Sequence, residues 1–310
     1  MKIAVVGHMV SDEIVAPNGK VKKALGGTAY NLAALGTVAK EATIYPVCRI
    51  GSEARDDLVS VFSKWPSIDL STVMYSKRPN VVHRLTYNKD GSRREWNSAK
   101  QGWLTPARIP KDAAAVLINF ISGCDMKISD LRVLRYGFKG LIYFDLHSLT
   151  LGLNRKMMRY FRAHPRWRDY LSSTDMVQMN LEELEVIVGR KMEGFKEIAG
   201  ACKELLDAGP RQAVVTLGRN GVILSDGQSG TSYHVPPVKI HREVDPTGCG
   251  DTLSATFVYN YLRTGNLIKS IEAANHRAAA KATFSGLAGF MRLEKILEKI
   301  GPLTRASKLK

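Results

Sequence analysis

Asp245-Pro246-Thr247-Gly248-Cys249-Gly250-Asp251 runs directly into Thr252-Leu253-Ser254-Ala255-Thr256-Phe257-Val258-Tyr259, a stretch regular and apolar enough for a helix. Two glycines bracket one small residue, so the backbone can turn tightly where a Cβ would clash. The first turn of a helix has N–H groups without internal partners, and the helix dipole adds partial positive charge there. Such a helix start is an anion seat, used most often for phosphate. Asp251 stands at its edge. A carboxylate beside a phosphate seat repels the ligand, unless its task is to take a proton from an attacking hydroxyl. The stretch therefore predicts phosphoryl transfer to an alcohol.

Working outward, the chain shows the rhythm of an α/β protein. Ile3–Gly7, Thr43–Gly51, Ala115–Phe120, Leu141–Asp145, Asp175–Asn180, Ala213–Gly218 and Val222–Leu224 are short apolar runs that read as buried strands. Val235–Ile240 reads as one more, leading into the opening stretch. Predicted helices cover a segment opened by Gly26-Gly27 and closed by Gly36, then Asp56 to Trp65, Leu181 to Val188, Phe195 to Ala208, Glu272 to Phe284 and Met291 to Ile300. Arg155 to Tyr170 reads as a basic helix or helix and loop. Asp12–Val15 and Val21–Leu25 flank Pro17-Asn18-Gly19 as a hairpin. Residues 72–96 alternate and carry a second hairpin signal at Asp90-Gly91. Grouped together, roughly 10–25 and 72–98 predict a small β-sheet lid on a single domain of 310 residues. Ligands of open parallel sheets bind at the carboxyl ends of strands. Asp145, Asn180, Thr216 with Gly218, and Asp245 to Asp251 all fall at such ends.

Composition narrows the field. The 310 residues carry 45 Lys+Arg against 29 Asp+Glu, a net charge of +16. An anionic partner such as nucleotide or phosphosugar would suit this charge, as would a plain solvated surface. The basic residues are scattered and not interleaved with exposed aromatics, so a nucleic-acid platform is not indicated. Cys48, Cys124, Cys202 and Cys249 have no metal-ligand spacing and read as reduced thiols of a cytoplasmic protein. No apolar run is long enough for a signal peptide or a membrane span.

Taken together, Asp245 to Asp251, Gly26-Gly27 with Asn31, Asn180-Leu181-Glu182-Glu183 and Thr216-Leu217-Gly218-Arg219-Asn220-Gly221 resemble the ribokinase-like (PfkB) family of carbohydrate and nucleoside kinases. The resemblance covers nearly the whole chain and extends to Asn275 and Gly286. It implies a Rossmann-like three-layer α/β/α body with a mostly parallel sheet and a β lid. It implies Asp251 as catalytic base, with the N–H groups of Gly248, Cys249 and Gly250 as anion hole. Asp12, Gly26, Gly27 and Asn31 would contact the sugar. Asn180 and Glu183 would help to place Mg²⁺ through water, and with Thr216, Gly218, Gly221 and Asn275 would form the ATP site. A monovalent cation (K⁺) would sit beside the anion hole, with carbonyls from the loop at Ser285-Gly286. A sugar or related polyol is the implied acceptor. An adenosine-type nucleoside is the alternative, served by Tyr75, Tyr87 or Trp96 as a stacking platform, and a non-catalytic nucleotide or sugar binder is the third reading.

Three departures from the family pattern stand out. Cys249 replaces an alanine, and a thiol at a helix start should have a lowered pKa. Gly51 to Leu58 lacks a second glycine. Asp145-Leu146-His147 has His where the family has Asn, which makes His147 either a substrate or phosphate neighbour or a structural residue. Asp251, at a helix start, should stay ionised. The exposed edges of the lid sheet invite pairing with a second copy.

Overall fold

The computed structural model describes residues 1–88 and 92–309. The Asp90-Gly91 turn signal lies outside the described residues. From the N-terminus come β1 (Lys2–Val6), β2 (Met9–Val15), β3 (Val21–Gly27), α1 (Ala29–Val38), β4 (Thr43–Val47) and β5 (Arg49–Gly51). Then follow α2 (Arg55–Phe62), β6 (Met74–Ser76), β7 (Val82–Tyr87), β8 (Arg93–Asn97), β9 (Ala115–Asn119), α3 (Ile128–Gly137) and β10 (Leu141–Asp145). The middle of the chain forms β11 (Leu151–Leu153), β12 (Arg159–Phe161), α4 (Trp167–Leu171), β13 (Met176–Asn180), α5 (Leu181–Val188) and α6 (Phe195–Leu206). The remainder is β14 (Gln212–Thr216), β15 (Val222–Asp226), β16 (Thr231–Val235), α7 (Cys249–Thr264), α8 (Leu267–Ala282), α9 (Leu293–Leu297) and β17 (Ser307–Lys308).

β1 shows how the body is layered. Ile3 and Val5 join one buried cluster, with Leu32 and Leu35 of α1, Leu253 and Phe257 of α7 and Ile271 of α8. Ala4 and Val6 join another, with Leu131 of α3, Leu184 of α5 and Ile198 of α6. Successive side chains of a strand point to opposite faces, so both faces of the sheet carry helices. Among the described residues the main sheet runs β17-β16-β15-β14-β13-β10-β9-β1-β4. It is parallel from β4 to β14, and β15, β16 and β17 add on antiparallel. This is the mostly parallel α/β/α body that the sequence predicts.

A separate small sheet has the order β3-β2-β7-β8. The hairpin β2–β3 and the pair β7–β8 are joined by parallel pairing of β2 with β7. Met74–Ser76, expected in that sheet, pairs with Arg49–Gly51 instead. The run Thr43–Gly51 is two strands, broken at Cys48. Gly36 does not close α1, which continues to Val38 and packs Gly36 against the Trp65 ring. Residues 155–170 hold β12 and only a five-residue helix, because Arg159–Phe161 pairs back on Leu151–Leu153. The strand before the opening stretch ends at Val235; Pro236 and Pro237 have no N–H to give a ladder, and the chain runs irregularly to Gly248.

Candidate active site

The parallel strands end in polar side chains at one rim: Asn119 on β9, Asp145 on β10, Asn180 on β13 and Thr216 on β14. Together with the start of α7 they border a cavity of about 950 Å³, a volume that suits two small ligands side by side. Of the residues singled out in the sequence, Asp12, Gly27, Asn180, Glu183, Thr216, Gly218, Gly221, Gly248, Cys249, Gly250, Asp251 and Asn275 line it.

Two of them stand behind the wall. Asn31 is fully buried on α1, and its amide is spent on protein partners. Nδ2 donates to Ser254 Oγ at 3.0 Å and to Asp251 O at 3.3 Å, while Oδ1 accepts from Asn119 Nδ2 at 2.8 Å. It holds the start of α7 in place. Gly26 leaves room for another residue: a Cβ there would lie 1.9 Å from Asp12 Oδ2.

Gly248 opens α7 with φ 85°, and a Cβ on it would stand 2.2 Å from the Tyr30 ring. Only glycine meets both demands. The anion seat differs in one donor from expectation. The Cys249 N–H is turned back to Pro246 O at 3.1 Å, which leaves the seat to its neighbours in the first turn. Gln178 Nε2 braces the same turn by donating to Gly250 O at 3.1 Å and to Asp145 Oδ2 at 2.8 Å.

Asp251 accepts a hydrogen bond from Asn119 Nδ2 at 2.6 Å. Burial raises its carboxyl to about 6, against the lowering effect of His147 and Asn119. Burial outweighs the helix dipole that the sequence argument relied on, so the acid is ionised at neutral pH but is a stronger base than a surface aspartate. Asp145 is pushed well above the usual carboxylate range by burial and by the charges of Glu183 and Asp251.

His147 adopts φ 28°, uncommon for a residue with a Cβ. Its Nδ1 lies 3.2 Å from Glu183 Oε1. Burial opposes its charged form, but the hydrogen bond and charge of Glu183 and the charge of Asp145 prevail and hold its pKa at about 9. His147 is thus an imidazolium on the cavity wall at neutral pH. Glu183 also closes a capping box with Asn180: Asn180 Oδ1 accepts from Glu183 N at 2.8 Å and Glu183 Oε2 from Asn180 N at 2.9 Å. The Cys249 thiol, expected to be acidic, is pushed up to about 12, chiefly by burial and against the pull of Lys281.

The cavity has two unlike ends. Under the small sheet, Asp12, His83, Glu95 and Arg159 face it. His83 lies 3.4 Å from Asp12 Oδ1 and 3.2 Å from Glu95 Oε2, and Arg159 lies 3.6 Å from Glu95. At the other end, Val222, Pro237, Val238, Ala278, Ala279 and Ala282 give an apolar strip, and Arg219, Lys239, Arg242 and Glu243 also line the cavity. Asn275 closes it, with Nδ2 donating to Pro236 O at 2.9 Å. Sequence reasoning missed Asn119, His83, Glu95, Arg159 and Gln178. Asn119 is the polar end of β9 in the structure, but the apolar run read from the sequence continued to Phe120; the others carried no signal.

The chain is similar to known carbohydrate and nucleoside kinases. Residues 154–292 match the family model described as pfkB family carbohydrate kinase. A cytidine kinase from Thermococcus kodakarensis is 25% identical over 282 residues, which is 90% of this chain and 95% of that protein. A deoxyribokinase from Salmonella typhi is 29% identical over 143 residues, 45% of this chain and 44% of that protein. Among solved structures, Arabidopsis thaliana ribokinase complexed with ribose and ATP superposes with a TM-score of 0.74 at 18% identity, covering 96% of this chain and 98% of that one. A pyrophosphate-dependent kinase in the ribokinase family, complexed with a pyrophosphate analog and myo-inositol, gives 0.79 at 18% identity, with 95% and 100% covered.

Proposed function

We propose that this chain, which belongs to the ribokinase-like (PfkB) family and is a phosphotransferase with an alcohol group as acceptor, moves the γ-phosphoryl group of ATP to a hydroxyl of a sugar or related polyol. One observation carries the reading: Asp251 lines the same cavity as the polar cluster of Asp12, His83, Glu95 and Arg159 and the apolar strip of Val222, Pro237, Val238, Ala278, Ala279 and Ala282. The polar end suits a molecule dense in hydroxyls. The strip suits a flat purine, with the triphosphate directed at the start of α7. Tyr75, Tyr87 and Trp96 are not among the described residues of the wall, and Tyr75 and Trp96 stack under Arg55 and Arg84. This favours a polyol over a nucleobase at the acceptor end.

In this reading the acceptor hydroxyl lies against Asp251, which takes its proton as the new P–O bond forms. Asn119 fixes the carboxylate from one side. Phosphoryl transfer has a loose transition state, with charge spread over the phosphoryl oxygens. N–H groups at the α7 start meet that charge in a geometry set before the reaction, and the His147 imidazolium adds positive charge near it. Asp145, Asn180 and Glu183 supply oxygen donors of the kind Mg²⁺ takes, and the mutual repulsion that raises Asp145 is what a divalent cation relieves. Bound Mg²⁺ would neutralise nucleotide phosphate charge. The small sheet serves as a lid on a single-domain body, excluding water as a competing nucleophile. Its edge strand β3 could pair with a second copy, although Lys22 and Lys23 on it weigh against such pairing; sedimentation at two concentrations checks this. No helix among the described residues is long and apolar enough to cross a membrane.

The test is ADP release from Mg-ATP over a panel of sugars, polyols, sugar acids and nucleosides, with orthophosphate release read when pyrophosphate replaces ATP as donor. Stimulation by one polyol or sugar is the expected result; no acceptor-dependent ADP release with any of them overturns the reading. The second reading, a nucleoside kinase, is favoured by the near full-length similarity to a cytidine kinase. Turnover of cytidine or adenosine above that of any sugar would establish it in place of the first.

A further inference from the structure

Lys281, on α8, is fully buried and plays no part in the mechanism above. Its Nζ donates to Asp245 O at 3.2 Å and to Phe284 O at 3.1 Å. The Tyr30 and Phe284 rings lie 5.7 and 4.9 Å from it. The two carbonyls belong to the two segments that back the anion seat. Asp245 begins the loop into α7, and Phe284 follows the end of α8. The segments are tied together, since Val244 N and Asp245 N both donate to Ala282 O and Ser285 Oγ donates to Asp245 Oδ2 at 2.9 Å. Burial pulls the Lys281 ammonium below its usual range, while the charges of Asp245 and Asp251 hold it up.

The family resemblance leads one to expect a monovalent metal ion beside this seat, held by carbonyls of the Ser285-Gly286 loop. The residues present do not fit that expectation. The carbonyl of Phe284, next to that loop, and the carbonyl of Asp245 already accept from an ammonium. Lysine's head is a compact point charge with three donors, close in size and charge to a monovalent cation. A buried charge is retained only where it is paired, and here the partners are two backbone carbonyls behind the anion seat.

We propose that the Lys281 ammonium is the resident cation behind the anion seat, tethered where a monovalent metal ion would otherwise be required, so that this chain works without added potassium. The proposal rests on the kinase reading for its effect on rate, but not for its effect on stability. The test compares the parent, K281A and K281M in KCl, NH₄Cl and choline chloride at matched ionic strength of about 0.1 M. Thermal melting without substrate is read first, then ADP release. The parent is expected to melt at the same temperature in all three salts and to turn over within about twofold. K281A should lose on the order of 10²-fold in kcat, and K⁺ or NH₄⁺, but not choline, should restore at least tenfold and raise its melting temperature. K281M keeps the side-chain length and fills the space with apolar atoms, so it reports should K281A fail to fold; a low rate that no salt restores is expected of it. A parent whose melting temperature or rate climbs with K⁺ over choline overturns the proposal, as does K281M with parental kcat. If no acceptor is ever found, the melting comparison still decides.

Discussion

The two ends of the cavity are built from different materials. The reaction seat and the apolar strip of the nucleotide slot are made of backbone and small side chains, the α7 start, Gly218, Gly221 and three alanines of α8, with Arg219, Lys239 and Arg242 also on the cavity wall. The acceptor end is made of polar side chains from strands far apart in sequence, with Asp12 from β2, His83 from β7, Glu95 from β8 and Arg159 from β12. Backbone donors are fixed by the fold and serve any phosphate. Side chains facing one another across a small sheet can be exchanged singly. One end of such a molecule can therefore stay constant while the other is retuned, and acceptor choice is the property that likeness of fold leaves open.

That contrast can be broken experimentally. The largest effect belongs to the seam between the ends. Asp251→Asn should lower kcat by about 10³-fold or more while leaving the KM values for ATP and acceptor near parental. In the parent, kcat should rise with pH through about 6, where the Asp251 carboxyl ionises, and level off above pH 7. The sign for stability is opposite. The folded carboxyl pKa of about 6 lies above the ordinary 3.8, so the ionised acid costs stability that is lost as pH climbs between the two values. Asp251→Asn should thus melt higher than the parent above pH 6, and melting curves at pH 5 and 8 check it.

Next in size, Asp12→Ala should lower kcat/KM for the acceptor by roughly 10²-fold with the KM for ATP unchanged. An equal rise in both KM values would erase the division between the ends. Ala279→Leu fills the slot and should raise the KM for ATP by about tenfold without moving that for the acceptor, as initial rates in both substrates would reveal. The smallest effect is expected of Cys249→Ala, within about twofold in kcat, since the thiol stays protonated and the Cys249 N–H is already bonded to Pro246 O. Alkylation by iodoacetamide at pH 7.5 should accordingly be slower at Cys249 than at a free thiol; rapid labelling, followed by mass spectrometry, would contradict the burial argument.

The same contrast governs what could be read from the sequence. β1, β9, β10, β13 and β14 were visible as apolar runs because both faces of each are covered. The seat was visible because glycines at fixed spacing state what the backbone must do. Arg159 was invisible, since a three-residue strand has no periodicity to display and its neighbours are basic enough to suggest a helix surface. Asn119 lay inside the run Ala115–Phe120 read as a strand, and its bond to Asp251 depends on a partner 132 positions away. The dipole argument gave the wrong direction for the Cys249 thiol and understated the basicity of Asp251, because burial depends on tertiary packing that local sequence does not record.

The capping box at Asn180 and Glu183 carries a practical consequence. One carboxylate ends a helix with Oε2 and faces His147 with Oε1. In a mutational scan these two positions should score as hits for cellular abundance and for catalysis alike. A variant library ranked by growth alone would then confuse loss of enzyme with loss of chemistry at this spot, unless each variant's protein level is measured beside its phenotype.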